Sequence, residues 1–220
     1  MPDNPKSVTY TINISNKLKT SSDDELTMMA QVARICVLYE DFMLEVDLVL
    51  KGLQSGTSGY AAIHRNFYFA RRAMATTWEM KQAVDTLCLN PEFKKRKAAM
   101  EPRLAEPWDE AVKFFHKHQT VLKAFRNDYG GHFTDAAARF AIEHMPPQLE
   151  GDLVVTQTPG GAALAMPFAG QILAVGLVKD RPQDQDYQQF LSSTFTLTVE
   201  AQKHALNIAH IIGDEFFLKT

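Results

Sequence analysis

Apolar residues recur at alternating steps of three and four in the first clear pattern of the chain: Val32, Ile35, Tyr39, Phe42, Val46, Val49 and Leu53. That spacing keeps one face of a 3.6-residue helix apolar and predicts a long amphipathic helix. Ser22, Asp23 and Asp24 precede it as N-cap candidates, and Gly52, Gly56 and Gly59 are expected to stop it. A second stripe of Ile63, Phe67, Ala70, Met74, Trp78, Val84 and Leu87 predicts a helix from about Tyr60 to Leu89, ended by Asn90-Pro91. Residues 91–107 read as a basic, proline-containing connector with room for a short helix. Trp108, Ala111, Phe115, Leu122 and Phe125 predict a third helix that begins near Pro107 and delivers Arg126 at its C-terminal end. Thr134-Asp135 caps a fourth, which runs to about His144 and is closed by Pro146-Pro147.

The texture changes at Gly151. Residues 152–157 read as a strand, and Thr158-Pro159-Gly160-Gly161 has the proline and glycine placement of a type II turn. The apolar, glycine-interrupted run 162–178 has room for a second and a third strand. A last long helix is expected over about 183–217, with Phe190, Leu197, Ala201, Ile208 and Ile211 on its buried face. The expected fold is mainly α: an antiparallel helical bundle with a small β-hairpin insertion around 152–178 and a long C-terminal helix. Residues 1–22 form a polar tail or a docked strand. Residues 23–220 form one domain, with the insertion at about 151–180.

Composition narrows the function classes. A hydrophobic content of 45% supplies ample core for 220 residues. A net charge of −3 argues against a protein that coats nucleic acid, and leaves room for a local basic site. Cys36 and Cys88 fall on apolar helical faces and read as buried free thiols of a reducing cytoplasm. The N-terminus lacks a signal-peptide pattern, and no uncharged apolar run is long enough for a membrane span. The expected location is therefore cytoplasmic, with no membrane partner.

Candidate chemistry concentrates in Phe125-Arg126-Asn127-Asp128-Tyr129-Gly130-Gly131-His132-Phe133. Arginine offers phosphate a permanently charged fork, and histidine moves protons near neutral pH. Arg126 and His132 would stand about 120° apart on a continuous helix, on different faces. The glycine pair would cost such a helix roughly 2 kcal/mol relative to Ala-Ala. A break or a close backbone approach is therefore expected there. Asp128 lies four residues before His132 and would orient the imidazole if the helix continued; its plain alternative is a surface pair. The plain reading of the whole stretch is a polar helix junction with Arg126 capping carbonyls.

This arrangement, an arginine with a polar follower and a histidine shortly after, resembles the signature of the HEPN superfamily of helical-bundle proteins. The resemblance covers the motif and the bundle between Asp23 and Met145, and leaves the β insertion unexplained. It implies a metal-independent, cofactor-free RNase whose two protomers bring their motifs together. Arg126 would hold the scissile phosphate, with Asn127 as its polar partner. His132 would act on the ribose hydroxyl or the leaving group, giving a cyclic phosphate. Bacterial members include toxins and abortive-infection effectors, so an antitoxin or regulatory protein is an implied partner. Two positions depart from the pattern. Gly131 precedes the histidine where many members carry alanine, and Thr134 stands where one toxin branch carries a tyrosine that its antitoxin modifies.

Lys94-Lys95-Arg96-Lys97, with Arg103 nearby, is the strongest basic cluster and a candidate RNA-binding surface; its plain reading is a solvated loop. His64-Arg65-Asn66 and Arg71-Arg72 read as surface or interhelical contacts. His116 and His118 point to different faces of a helix and so make a poor metal pair, and His118 falls on the apolar stripe. No standard metal or phosphate-loop motif is present. Two further classes stay open: a non-catalytic helical module that dimerises or binds a nucleotide or partner, and a metalloenzyme using His116, His132 or His144.

Overall fold

The computed structural model describes residues 22–54, 60–127, 134–145, 147, 148, 150, 154–158, 161–165, 172, 175, 176 and 187–218. The proposed N-terminal tail therefore lies outside the described residues, apart from Ser22. Helix α1 spans Asp23–Gln54. The Ser22 Oγ caps it by accepting from the Glu25 N–H at 3.3 Å, and three acidic residues in its first turn suit the positive end of the helix dipole. Gly52 does not stop this helix, contrary to expectation. A Cβ there would stand 1.9 Å from Asn66 Oδ1 on the next helix, so the glycine permits a close approach.

Helix α2 spans Tyr60–Leu89. Asn90 both ends it and starts α3, Pro91–Ala98: its side chain accepts from the N–H groups of Glu92 and Phe93, and Pro91 needs no partner at the first helical position. Helix α4 spans Pro102–Lys117, so the third long helix begins five residues before the expected Pro107. Pro107 is carried inside it, without the N–H that would reach back to residue 103. The chain breaks at His118, with φ −101° and ψ 8°, and resumes as α5, Gln119–Phe125. The expected single helix is thus two. Helix α6 spans Asp135–His144. Helix α7 spans Tyr187–Ile212 and passes into a π-helix, Gly213–Leu218.

The helices form one packed bundle. Helix α1 lies along α2, α5 packs on α2, and α7 packs on α4 and α1. The predicted stripes meet in its core, where Ile35, Phe42, Met74, Leu87, Trp108 and Ile208 are buried. Phe93 ties the short α3 to this core, with ring centroids 4.9 Å from Trp108 and 6.5 Å from Phe216. The connector holds the short helix for which it had room, and that helix is anchored in the core. Cys36 and Cys88 are half-buried free thiols, and burial pushes both above the usual thiol range.

The β insertion is corrected. Helices alone supply the described core, and the fold class is a helical bundle. The strand pairing present is local: β1, Val154–Thr158, lies antiparallel to β2, Gly161–Ala165, and among the described residues pairs with nothing else. No third strand follows among the described residues; 172, 175 and 176 are helical where strands were expected. A short apolar run cannot be told from a buried helical segment by its periodicity, which is the reason for the error.

Candidate functional site

Arg126 sits where the sequence pattern puts it, at the C-terminal end of α5. Leu122 and Phe125 are buried, and the Arg126 N–H closes the last turn on the carbonyls of Leu122 and Lys123. Burial of that face turns Arg126 and Asn127 outward, and both are exposed. The Arg126 Nε donates to Glu79 Oε1 of α2 at 3.3 Å, while Arg34 of α1 donates from a terminal nitrogen to Glu79 Oε2 at 3.1 Å. One carboxylate therefore holds two arginines from two different helices. Sequence reading missed both Glu79 and Arg34, because their convergence is tertiary and has no local spacing.

At this junction one carboxylate of the protein bridges two guanidinium groups. Arg126 is about half exposed, at 51%, so solvent screens the pair and its net worth is roughly 0–1 kcal/mol. A phosphate with equal or greater charge can compete for such guanidinium groups. The contact engages Nε, and among the described residues the terminal nitrogens of Arg126 make no hydrogen bond. Asp128, Gly130, Gly131 and His132 lie outside the described residues, so the arginine half of the motif is placed and the histidine half is not.

The basic cluster lies in the last two turns of α3, and most of it has local partners. Lys95 bonds Glu92 at 2.6 Å, Lys97 pairs with Asp109, and Arg96 lies over the Phe216 ring at 5.3 Å. Lys94 is exposed. Arg103 pairs with Glu101 at 2.7 Å. Cations at a helix C-terminus also suit its dipole, so these residues have a structural role irrespective of RNA.

The remaining histidines are dispersed. His116 Nε2 lies 2.8 Å from Asp85 Oδ1, and the other oxygen of Asp85 accepts from Lys81 at 2.6 Å. His144 stacks on Phe140 and bonds its carbonyl at 2.8 Å. His118 and His204 pack on Phe114, with centroids at 4.8 and 4.3 Å. Among the described residues no three His, Cys, Asp or Glu side chains converge as metal ligands. Of the arginine pair on α2, Arg72 bonds the buried Glu45 at 3.2 Å, an interhelical contact as expected. Comparison with family models, curated proteins and solved structures found no match for this chain.

Proposed function

We propose that this chain is a HEPN-like endoribonuclease that cuts RNA without a metal, acts as a homodimer, and serves bacterial defence or toxin-type growth control in the cytoplasm. The observation that carries the reading is the Arg126-Asn127 pair followed by His132, with Arg126 exposed at a helix end and held by a weak, displaceable ion pair. No described helix is long and apolar enough to cross a membrane, which is compatible with such a role.

In this mechanism an imidazole takes the proton of a ribose 2′-hydroxyl. The alkoxide attacks the adjacent phosphate, and the 5′-oxygen leaves as it gains a proton. The product is a 2′,3′-cyclic phosphate and a 5′-hydroxyl end. Arg126 would neutralise the charge that builds on the phosphoryl oxygens. Asn127 would assist as a polar partner, Asp128 would orient His132, and residues 94–97 would attract the RNA backbone. The test is cleavage of single-stranded RNA in EDTA. Wild type should cut, and His132→Ala should lose about 10²–10⁴-fold in rate. Loss of wild-type cleavage in EDTA with recovery on adding a divalent ion would replace this mechanism with a metal-dependent one.

A second reading has its own support. Arg126 is already paired with Glu79, and three of the four residues 94–97 have partners within the chain. These features favour a non-catalytic module that dimerises or binds a nucleotide or partner. Under that reading RNA is uncut by wild type and by the histidine variant alike.

A further inference from the structure

We infer that the cleft between α1 and the start of the π-helix binds a small organic amine, a compact apolar body carrying one protonated nitrogen. The cleft has a volume of about 220 Å³. That is below the roughly 300–1,000 Å³ of drug-sized pockets and suits a single ring or a short branched chain. Ile35 of α1 and Ala209, Ile212 and Phe217 opposite make most of its lining apolar. Its polar groups come from one side, where α1 contributes Cys36, Tyr39 and Glu40.

Glu40 sets the charge of the ligand. Its side chain is exposed, and among the described residues no hydrogen bond or ion pair engages its carboxylate. Its field reaches its neighbours: after burial, it is the next cause holding the Cys36 thiol and the Tyr39 phenol above their usual ranges. An anion would meet repulsion here, whereas an ammonium would gain a partner. The rings of Tyr39 and Phe217 add aromatic surface on which a cation is favoured.

The opposite wall is a separate reason to read the cleft as built. Gly213 lines it and opens the π-helix, a rare widened turn that recurs at functional sites. A Cβ on Gly213 would meet nothing within 4 Å, so the backbone there borders open space. The inference does not depend on the ribonuclease reading.

The test is an NMR titration of the full chain with benzylamine, its neutral counterpart benzyl alcohol, and benzoate. Benzylamine should saturate with a Kd of about 1 mM or tighter, a gain of roughly 4 kcal/mol. The amides of Cys36, Glu40, Ala209 and Gly213 should shift. Benzoate should leave them still. Glu40→Gln, a change at an exposed position, should weaken benzylamine by about threefold or more. Ala209→Leu, which fills the cleft from α7, should abolish binding. Failure of benzylamine to saturate, equal binding of benzoate, or unchanged affinity in Glu40→Gln overturns the assignment. The glutamine variant keeps the test decisive if the leucine variant folds poorly.

Discussion

Glycine and histidine show how one position reports on its surroundings. Gly52 sits inside α1, where alanine would ordinarily gain about 1 kcal/mol of helix propensity. The contact with Asn66 opposes that gain, because a methyl group there would overlap Oδ1 and the amide would have to shift. Gly52→Ala should stabilise the protein less on its own than in an Asn66→Ala background, by about 1 kcal/mol. Denaturant melts of the four proteins of this cycle measure the coupling; additive effects would remove the close-approach explanation. His118 and His204 give a pH dependence. Burial lowers both imidazoles below the ordinary histidine range. Lys117 reinforces the shift of His118, and Lys203 and His118 that of His204, while Glu200 opposes both and Glu110 opposes the second. The folded state therefore prefers them neutral. Their contribution is complete above the unfolded value of about 6.5 and is lost as pH falls through the folded values. Thermal melts between about pH 7.5 and 5 should show falling stability, with a shallower fall in His204→Phe, which keeps a ring against Phe114.

Among the elements, local spacing and capping were legible, and tertiary choice was not. The bounds of α2 follow from its stripe and from Asn90-Pro91, and α6 follows from Thr134-Asp135. The split of the third long helix at His118 was hidden, because Phe115 and Leu122 are seven apart and stay in phase across the break. The short α3 was allowed for in the connector, and the buried Phe93 and the Asn90 cap fix its place. In the candidate site, exposure of Arg126 follows from the stripe that ends at Phe125, whereas Glu79 had no signal at all. That carboxylate yields a prediction. Glu79→Gln removes the charge that competes for Arg126 and Arg34. It should cost at most about 1 kcal/mol of stability. If Arg126 receives phosphate, the variant should bind a short single-stranded RNA about two- to fivefold more tightly, by fluorescence anisotropy at fixed salt. Weaker or unchanged binding would mean that Arg126 serves the fold.

The surface of the whole molecule carries apolar residues in register. Leu26, Val37 and Leu44 are 54%, 61% and 59% exposed and lie within about 20° of one another along α1. Val199 and Leu206, seven apart on α7, are exposed as well. Scattered apolar residues on a surface need no explanation, but an aligned stripe on a long helix has the geometry of a helix–helix seam. Light scattering should give about twice the chain mass of 24.7 kDa. Val37→Glu with Leu44→Glu should return the protein to a monomer with its helical content intact. Under the ribonuclease reading that monomer loses cleavage. A dimer that survives both substitutions would move the interface elsewhere.

The π-helix bears on chain length. Its hydrogen bonds close over one residue more than those of an α-helix, so Gly213–Leu218 holds a surplus residue without a loop. A chain shorter by one residue here could wind as ordinary α-helix and still bring the residue now at Phe216 toward Phe93. What it forfeits is the widened turn that sets Gly213 and Phe217 against α1. A single deletion in this segment should therefore bear on the cleft through Gly213 and Phe217 more than on the contact of Phe216 with Phe93.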